Sequence, residues 1–118
     1  MPYTFGPEAR LRSRAEFDAV QSGGRRVAAR YMILIGQPNT LSQDRLGIIA
    51  SRRLGGAVVR NRAKRRLREL FRKRAAPAAM DSRSFDVVAI PRRELASAPF
   101  AVIDADFQSA LRRLRQSK

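Results

Sequence analysis

Residues 57–74 constrain the fold more than any other stretch of the chain. Val59, Ala63, Leu67, Leu70 and Phe71 recur at helical spacing, and at about 100° per residue they fall within an arc of about 120°. Almost every other position round that wheel is basic or an amide, with Glu69 the exception. A helix of this kind must lay its single apolar stripe on a core, and the rest of it faces outward as positive charge. Gly55-Gly56 breaks the chain before the helix, and Pro77 predicts that it ends near Ala75.

The core it packs on has to come from the flanking segments. Ser13-Arg14-Ala15-Glu16 fits a capping box, so a short helix carrying Phe17 and Val20 starts there and stops at Gly23-Gly24. Residues 1–10, with two prolines and a glycine, are expected to form a loose arm. Residues 27–36, with the run Tyr31-Met32-Ile33-Leu34-Ile35, form a strand buried on nearly both faces. Residues 45–51 form a second strand, and the short turn-rich link between them suits an antiparallel hairpin. Residues 84–90 form a third, ended by Pro91. Pro99-Phe100 opens a last helix, with Ile103, Phe107, Leu111 and Leu114 on one side. The expected fold is α+β, in the order αββαβα: one domain over residues 1–118, with a small sheet packed by helices.

The 118 residues include 25 basic and 10 acidic side chains and carry a net charge of +15. Residues 52–74 hold Arg52, Arg53, Arg60, Arg62, Lys64, Arg65, Arg66, Arg68, Arg72, Lys73 and Arg74 against Glu69 alone. Arg60, Lys64 and Arg68 share one helix face, and Asn61, Arg65 and Arg72 form the adjoining row. A merely solvated face would interleave glutamates. Like charges this close cost a few tenths of a kcal/mol per pair, so a polyanion is the expected partner, with nucleic acid before membrane surface. Arginine outnumbers lysine heavily, which favours planar, forked recognition of phosphate. Cys and His are both absent, which removes thiolate metal sites and the commonest general base. No apolar run is long enough to span a membrane, and the N-terminus lacks the apolar stretch of a signal peptide. A cytoplasmic location is the expectation.

Residues 45–71 closely resemble the bacterial ribonuclease P protein family. The resemblance rests on Ser51-Arg52-Arg53, Gly55, Ala57-Val58 and Arg60-Asn61-Arg62, with Lys64-Arg65 and Arg68 behind. Leu11, Phe17, Val20, Gly24 and Val27 fall where the family's first helix and strand begin. The resemblance, over roughly residues 10–115, implies a ribosomal-protein domain-2-like fold with a left-handed βαβ crossover carrying the basic helix. It also implies a protein subunit that is not itself the catalyst of the endoribonuclease. A large RNA subunit hydrolyses precursor tRNA with magnesium, and one protein per RNA docks on it and holds the 5′ leader that is removed.

Carried over by position, Arg52, Arg53, Arg60, Asn61, Arg62, Lys64, Arg65 and Arg68 are expected to contact RNA, and Phe17, Ile33, Ile35 and Ile49 to line the leader cleft. The chain departs from the family at Gln21 and Ile35, where aromatics are usual, and at Ala63, where Ile or Val is usual, so the cleft should be more aliphatic than stacking. Two other readings stay open on composition. One is a structural RNA-binding protein such as a ribosomal protein. The other is a stand-alone nuclease, for which the scattered Asp81, Asp86, Asp104 and Asp106 offer no obvious metal constellation.

Overall fold

A computed structural model describes residues 9–74 and 83–116. Helix α1 (Arg14–Gly23) leads into strands β1 (Arg25–Ala28), β2 (Met32–Pro38) and β3 (Arg45–Ile48). Helix α2 (Ala57–Arg72), strand β4 (Phe85–Pro91) and helix α3 (Phe100–Arg115) complete the order αβββαβα, with 3₁₀ turns at Arg52–Leu54 and Arg93–Ala96. The four strands make one mixed sheet in the order β1-β2-β4-β3.

Two sequence expectations change. The single strand expected over 27–36 is a hairpin, with β1 antiparallel to β2 and Ala28 opposite Ile33. The expected antiparallel pairing of the next two strands does not form. Strand β4 lies between them, antiparallel to β2 and parallel to β3. The reason is burial. Val87, Val88 and Ala89 are at most 1 % exposed, and a strand that is apolar on both faces belongs at the sheet centre. The four-residue β3 is left at the edge, and the β3–α2–β4 crossover carries the basic helix.

The expected capping box is present, with Ser13 Oγ accepting from the Glu16 amide and Glu16 Oε1 accepting from the Ser13 amide. Helix α2 ends at Arg72, a turn earlier than expected, with the Lys73 amide bonded to the Glu69 carbonyl; Ala75 and Pro77 lie outside the described residues. Most of the expected N-terminal arm lies outside them too. Its last residues are docked, with Ala9 buried and Arg10 bridged to Leu46.

The sheet separates two apolar layers. On one face Ala63, Leu67, Leu70 and Phe71 of α2 and Ile103, Phe107 and Leu114 of α3 pack on Met32, Leu34, Leu46, Phe85 and Val87. On the other, α1 places Val20 and Phe17 over Ile35 and Val88. Strand alternation dictates this division, because successive side chains point to opposite faces.

Candidate nucleic-acid interface

The strand register builds a row of side chains across the α1 face of the sheet. Ala28 stands opposite Ile33, and Ile33 opposite Ile90. The Ile49 amide bonds to the Ala89 carbonyl, one step past the Ile48–Ala89 pair, which brings Ile49 alongside Ile90. Ile33, Ile49 and Ile90 are only partly buried, so an aliphatic strip lies open beyond the edge of α1. Ile35 is in the next row, beneath the helix, and is 4 % exposed. It supports the strip from below and offers little surface of its own. Phe17, also partly buried, lies on Gly47: a Cβ added there would sit 2.5 Å from the ring. Glycine at this position is what lets the aromatic settle on the strand.

Two hollows connect this surface to the basic segment. Phe17, Gly47, Lys64 and Arg68 line one at the β3 edge. Ile49, Ile90, Ser51, Arg53 and Arg93 line the other. The turn into α2 depends on Gly55, whose φ of 149° is open only to glycine. The expected cleft and the expected basic face are therefore neighbours. Ile90, Ser51 and Arg93 are absent from the sequence-derived site. For Ile90 a signal existed: its place in the alternation of Asp86, Val88 and Ile90 marks it for the α1 face.

Arg52, Arg53, Asn61, Arg62 and Arg65 are exposed, and Arg60, Lys64 and Arg68 half-buried. The seven cations of this set have no side-chain hydrogen bond or ion pair among the described residues, and the Nε of Arg60 is shut from solvent without a partner. Arg66, on the same helix, is different. Its Nη1 donates to the Leu95 and Ala98 carbonyls at 3.1 and 2.5 Å, tying α2 to the turn after β4. Burial lowers its pKa from the ordinary arginine value, and the charge of Arg62 lowers it further.

Most carboxylates among the described residues are already engaged. Asp86 takes both Arg45 Nε and Nη2, at 2.8 and 2.7 Å, and those bonds push Arg45 above its usual value against the cost of burial. Asp44 accepts from Arg74 and from the Phe85 amide. Asp106 accepts from the Tyr31 amide at 2.8 Å, and Asp104 lies 3.6 Å from Lys73. Asp81 lies outside the described residues. No described group of three acidic residues is placed to hold a metal ion, and no described helix is long and apolar enough to cross a membrane.

A sheet with an open aliphatic strip, beside a helix face whose cations have no partner among the described residues, has the architecture of an RNA-binding α+β protein. The chain belongs to the ribonuclease P protein family, whose model, described as Ribonuclease P, matches residues 5–115. Among curated relatives, the ribonuclease P protein component of Acidothermus cellulolyticus is 42 % identical, over 92 % of this chain and 90 % of that one. That of Thermotoga petrophila is 36 % identical, over 88 % and 86 %. The solved Thermotoga maritima RNase P protein, in complex with 1-(4-fluorophenyl)-2-thiourea, superposes with a TM-score of 0.72 at 30 % identity, covering 92 % of this chain and all of that one. The Staphylococcus aureus RNase P protein gives 0.73 at 28 % identity, over 89 % and 94 %. Membership makes this chain the non-catalytic protein subunit of the endoribonuclease that processes tRNA 5′ ends, with the ribonuclease P RNA as its partner.

Proposed function

We propose that the two surfaces divide the work. The unpaired cations Arg52, Arg53, Arg60, Arg62, Lys64, Arg65 and Arg68, with Asn61, take phosphates and sugars of the ribonuclease P RNA. The aliphatic strip, with Phe17 at its rim, takes the single-stranded 5′ leader of precursor tRNA. The observation that carries this is that seven neighbouring cations have no partner among the described residues, whereas Arg45, Arg66, Arg74 and Arg115 are held by carboxylates or carbonyls. Such a cluster repels itself until a polyanion arrives. Leader binding then favours precursor over product, because mature tRNA lacks that segment.

In this reading one protein serves one RNA, in the cytoplasm where both transcripts are made. Magnesium belongs to the RNA: Glu16, Asp44, Asp86 and Asp106 are held by guanidinium groups or backbone amides, so these four offer it no free donor set. Aliphatic contact, with Phe17 the one stacking ring among the described cleft residues, predicts weak discrimination among leader bases, since neither contact reads the hydrogen-bonding edge of a base. The test is reconstitution with the ribonuclease P RNA at low magnesium. Added protein should raise the affinity for precursor and leave that for mature tRNA unchanged. Equal effects on both would remove the leader from the account.

A further inference from the structure

The aliphatic row has two ends, and only one meets the basic helix. At the β3 end Ile49 adjoins Arg53 and Arg93. At the other, three strand spacings and about 14 Å away, Ala28 lies on the free edge of β1. Two residues back, Arg26 stands opposite Ile35 and so shares the cleft face, and Arg25 stands opposite Gly36 and turns to the α3 face. Both are exposed, and neither has a side-chain partner among the described residues. Helix α3 adds to this corner. Leu114 packs at Gly36, beside Arg25. Arg113 lies on the same flank of α3 as Asp106, which binds the β1–β2 turn, and Arg113 is exposed as well. Arg115 and Gln108 point the other way, to Asp44 and Leu70.

A strand of RNA that follows the row from the basic helix to its other end leaves over this edge. We propose that Arg26 and Arg25 hold phosphates of the distal leader, those furthest from the cleavage site, after the strand has crossed the aliphatic strip. This rests on the leader reading above and extends it to a second electrostatic anchor at the far side of the sheet. The competing role is protective, since charged residues on an edge strand also discourage pairing with other chains. That role has no dependence on leader length.

The experiment uses the full chain assembled with the ribonuclease P RNA and measures Kd for precursor with a long leader, precursor with its leader cut back to the few nucleotides next to the cleavage site, and mature tRNA. The double variant R25A/R26A should weaken only the long-leader complex, by about two- to fivefold per arginine as for exposed ion pairs. The log–log salt dependence should fall by about 0.7 for each phosphate no longer neutralised. Arg26→Lys with Arg25→Lys should restore most of the affinity. The same loss at both leader lengths, no loss at either, or weakened association with the ribonuclease P RNA itself would each overturn the assignment. The control is Ile33→Ala with Ile90→Ala. If that variant is indifferent to the leader, the leader reading fails; if it responds and R25A/R26A does not, only the edge anchor fails.

Discussion

Two clusters of arginine in the molecule look alike in sequence and differ completely in surroundings. One runs from Arg52 to Arg68 along the start of α2 and has no internal partners among the described residues, Arg66 apart. The other lies at the opposite end of the sheet. There Arg45 is clamped by Asp86 and Glu16, and Arg74 and Arg115 converge on Asp44 at 2.9 and 3.4 Å. Arg74 lies 4.0 Å from the centroid of the Phe71 ring, and Arg115 4.9 Å from that of Phe85. These arginines hold strands, helices and loops together. The comparison shows that charge density marks the binding region only after subtraction of the cations the fold uses for itself.

The sharpest way to break this division is at Asp44, which is 7 % exposed. Asp44→Ala removes the acceptor of two arginines and of the Phe85 amide. A buried charge left without its partner costs about 3–5 kcal/mol, and urea denaturation should show that loss. Affinity for the ribonuclease P RNA, measured where the variant is folded, should change little. The converse variant neutralises Arg60, Arg62, Lys64, Arg65 and Arg68 together. Stability should hold or rise slightly as like charges are removed. Affinity for the ribonuclease P RNA should fall by about a hundredfold, and the salt slope should flatten by about 3.5 for five single-strand phosphate contacts. If that variant binds its RNA as before, α2 is not the docking surface.

Arg66 sharpens the comparison within a single helix, since it belongs with the paired group although it sits between Arg65 and Arg68. Arg66→Met deletes two hydrogen bonds from a charged donor to carbonyls and should cost about 1.5–3 kcal/mol in a urea titration. Arg65→Met, at an exposed position without a partner, should cost little stability and weaken RNA binding instead. Reversal of that pattern would show that neighbouring arginines on α2 cannot be sorted by their internal bonds.

Much of this was legible from local sequence. The stripe Val59, Ala63, Leu67, Leu70, Phe71 defines α2, and the capping box defines α1, because both signals lie within a few residues of the structure they specify. The β1–β2 hairpin was not legible, because its turn, Ala29-Arg30-Tyr31, contains none of the usual turn residues. It is held from outside, by Asp106 on the Tyr31 amide and by Arg92 Nε on the Ala29 carbonyl, 75 and 63 residues away. The partners of Arg74 and Arg115 were not legible for the same reason. Asp44 lies 30 residues from Arg74 and 71 from Arg115. The cleft was half legible: Ile33 and Ile49 were expected and lie open, Ile35 was expected and is covered by α1, and Ile90, which alternation marks for the α1 face, takes its place in the row through the register with Ile33.

The smallest expected effect concerns Glu16, where the paired network meets helix α1. Its carboxylate accepts from the amides of Ser13 and Arg12, and then from Arg45 at 2.8 Å. Those bonds, the two amides foremost, hold its pKa at about 2, below the ordinary 4.5. A carboxylate depressed on folding stabilises the native state fully above its unfolded value and progressively less as pH falls below it. The contribution of Glu16 should therefore be intact at neutral pH and disappear between pH 4.5 and about 2. Glu16→Gln keeps the shape and discards the charge, so it should cost about 1 kcal/mol at pH 7 and converge on the parent protein in acid. Urea midpoints of both proteins across that range decide the matter. Parallel curves would mean that α1, and with it the placement of Phe17 on Gly47, is fixed by Ser13 and apolar packing, without help from the Glu16 charge.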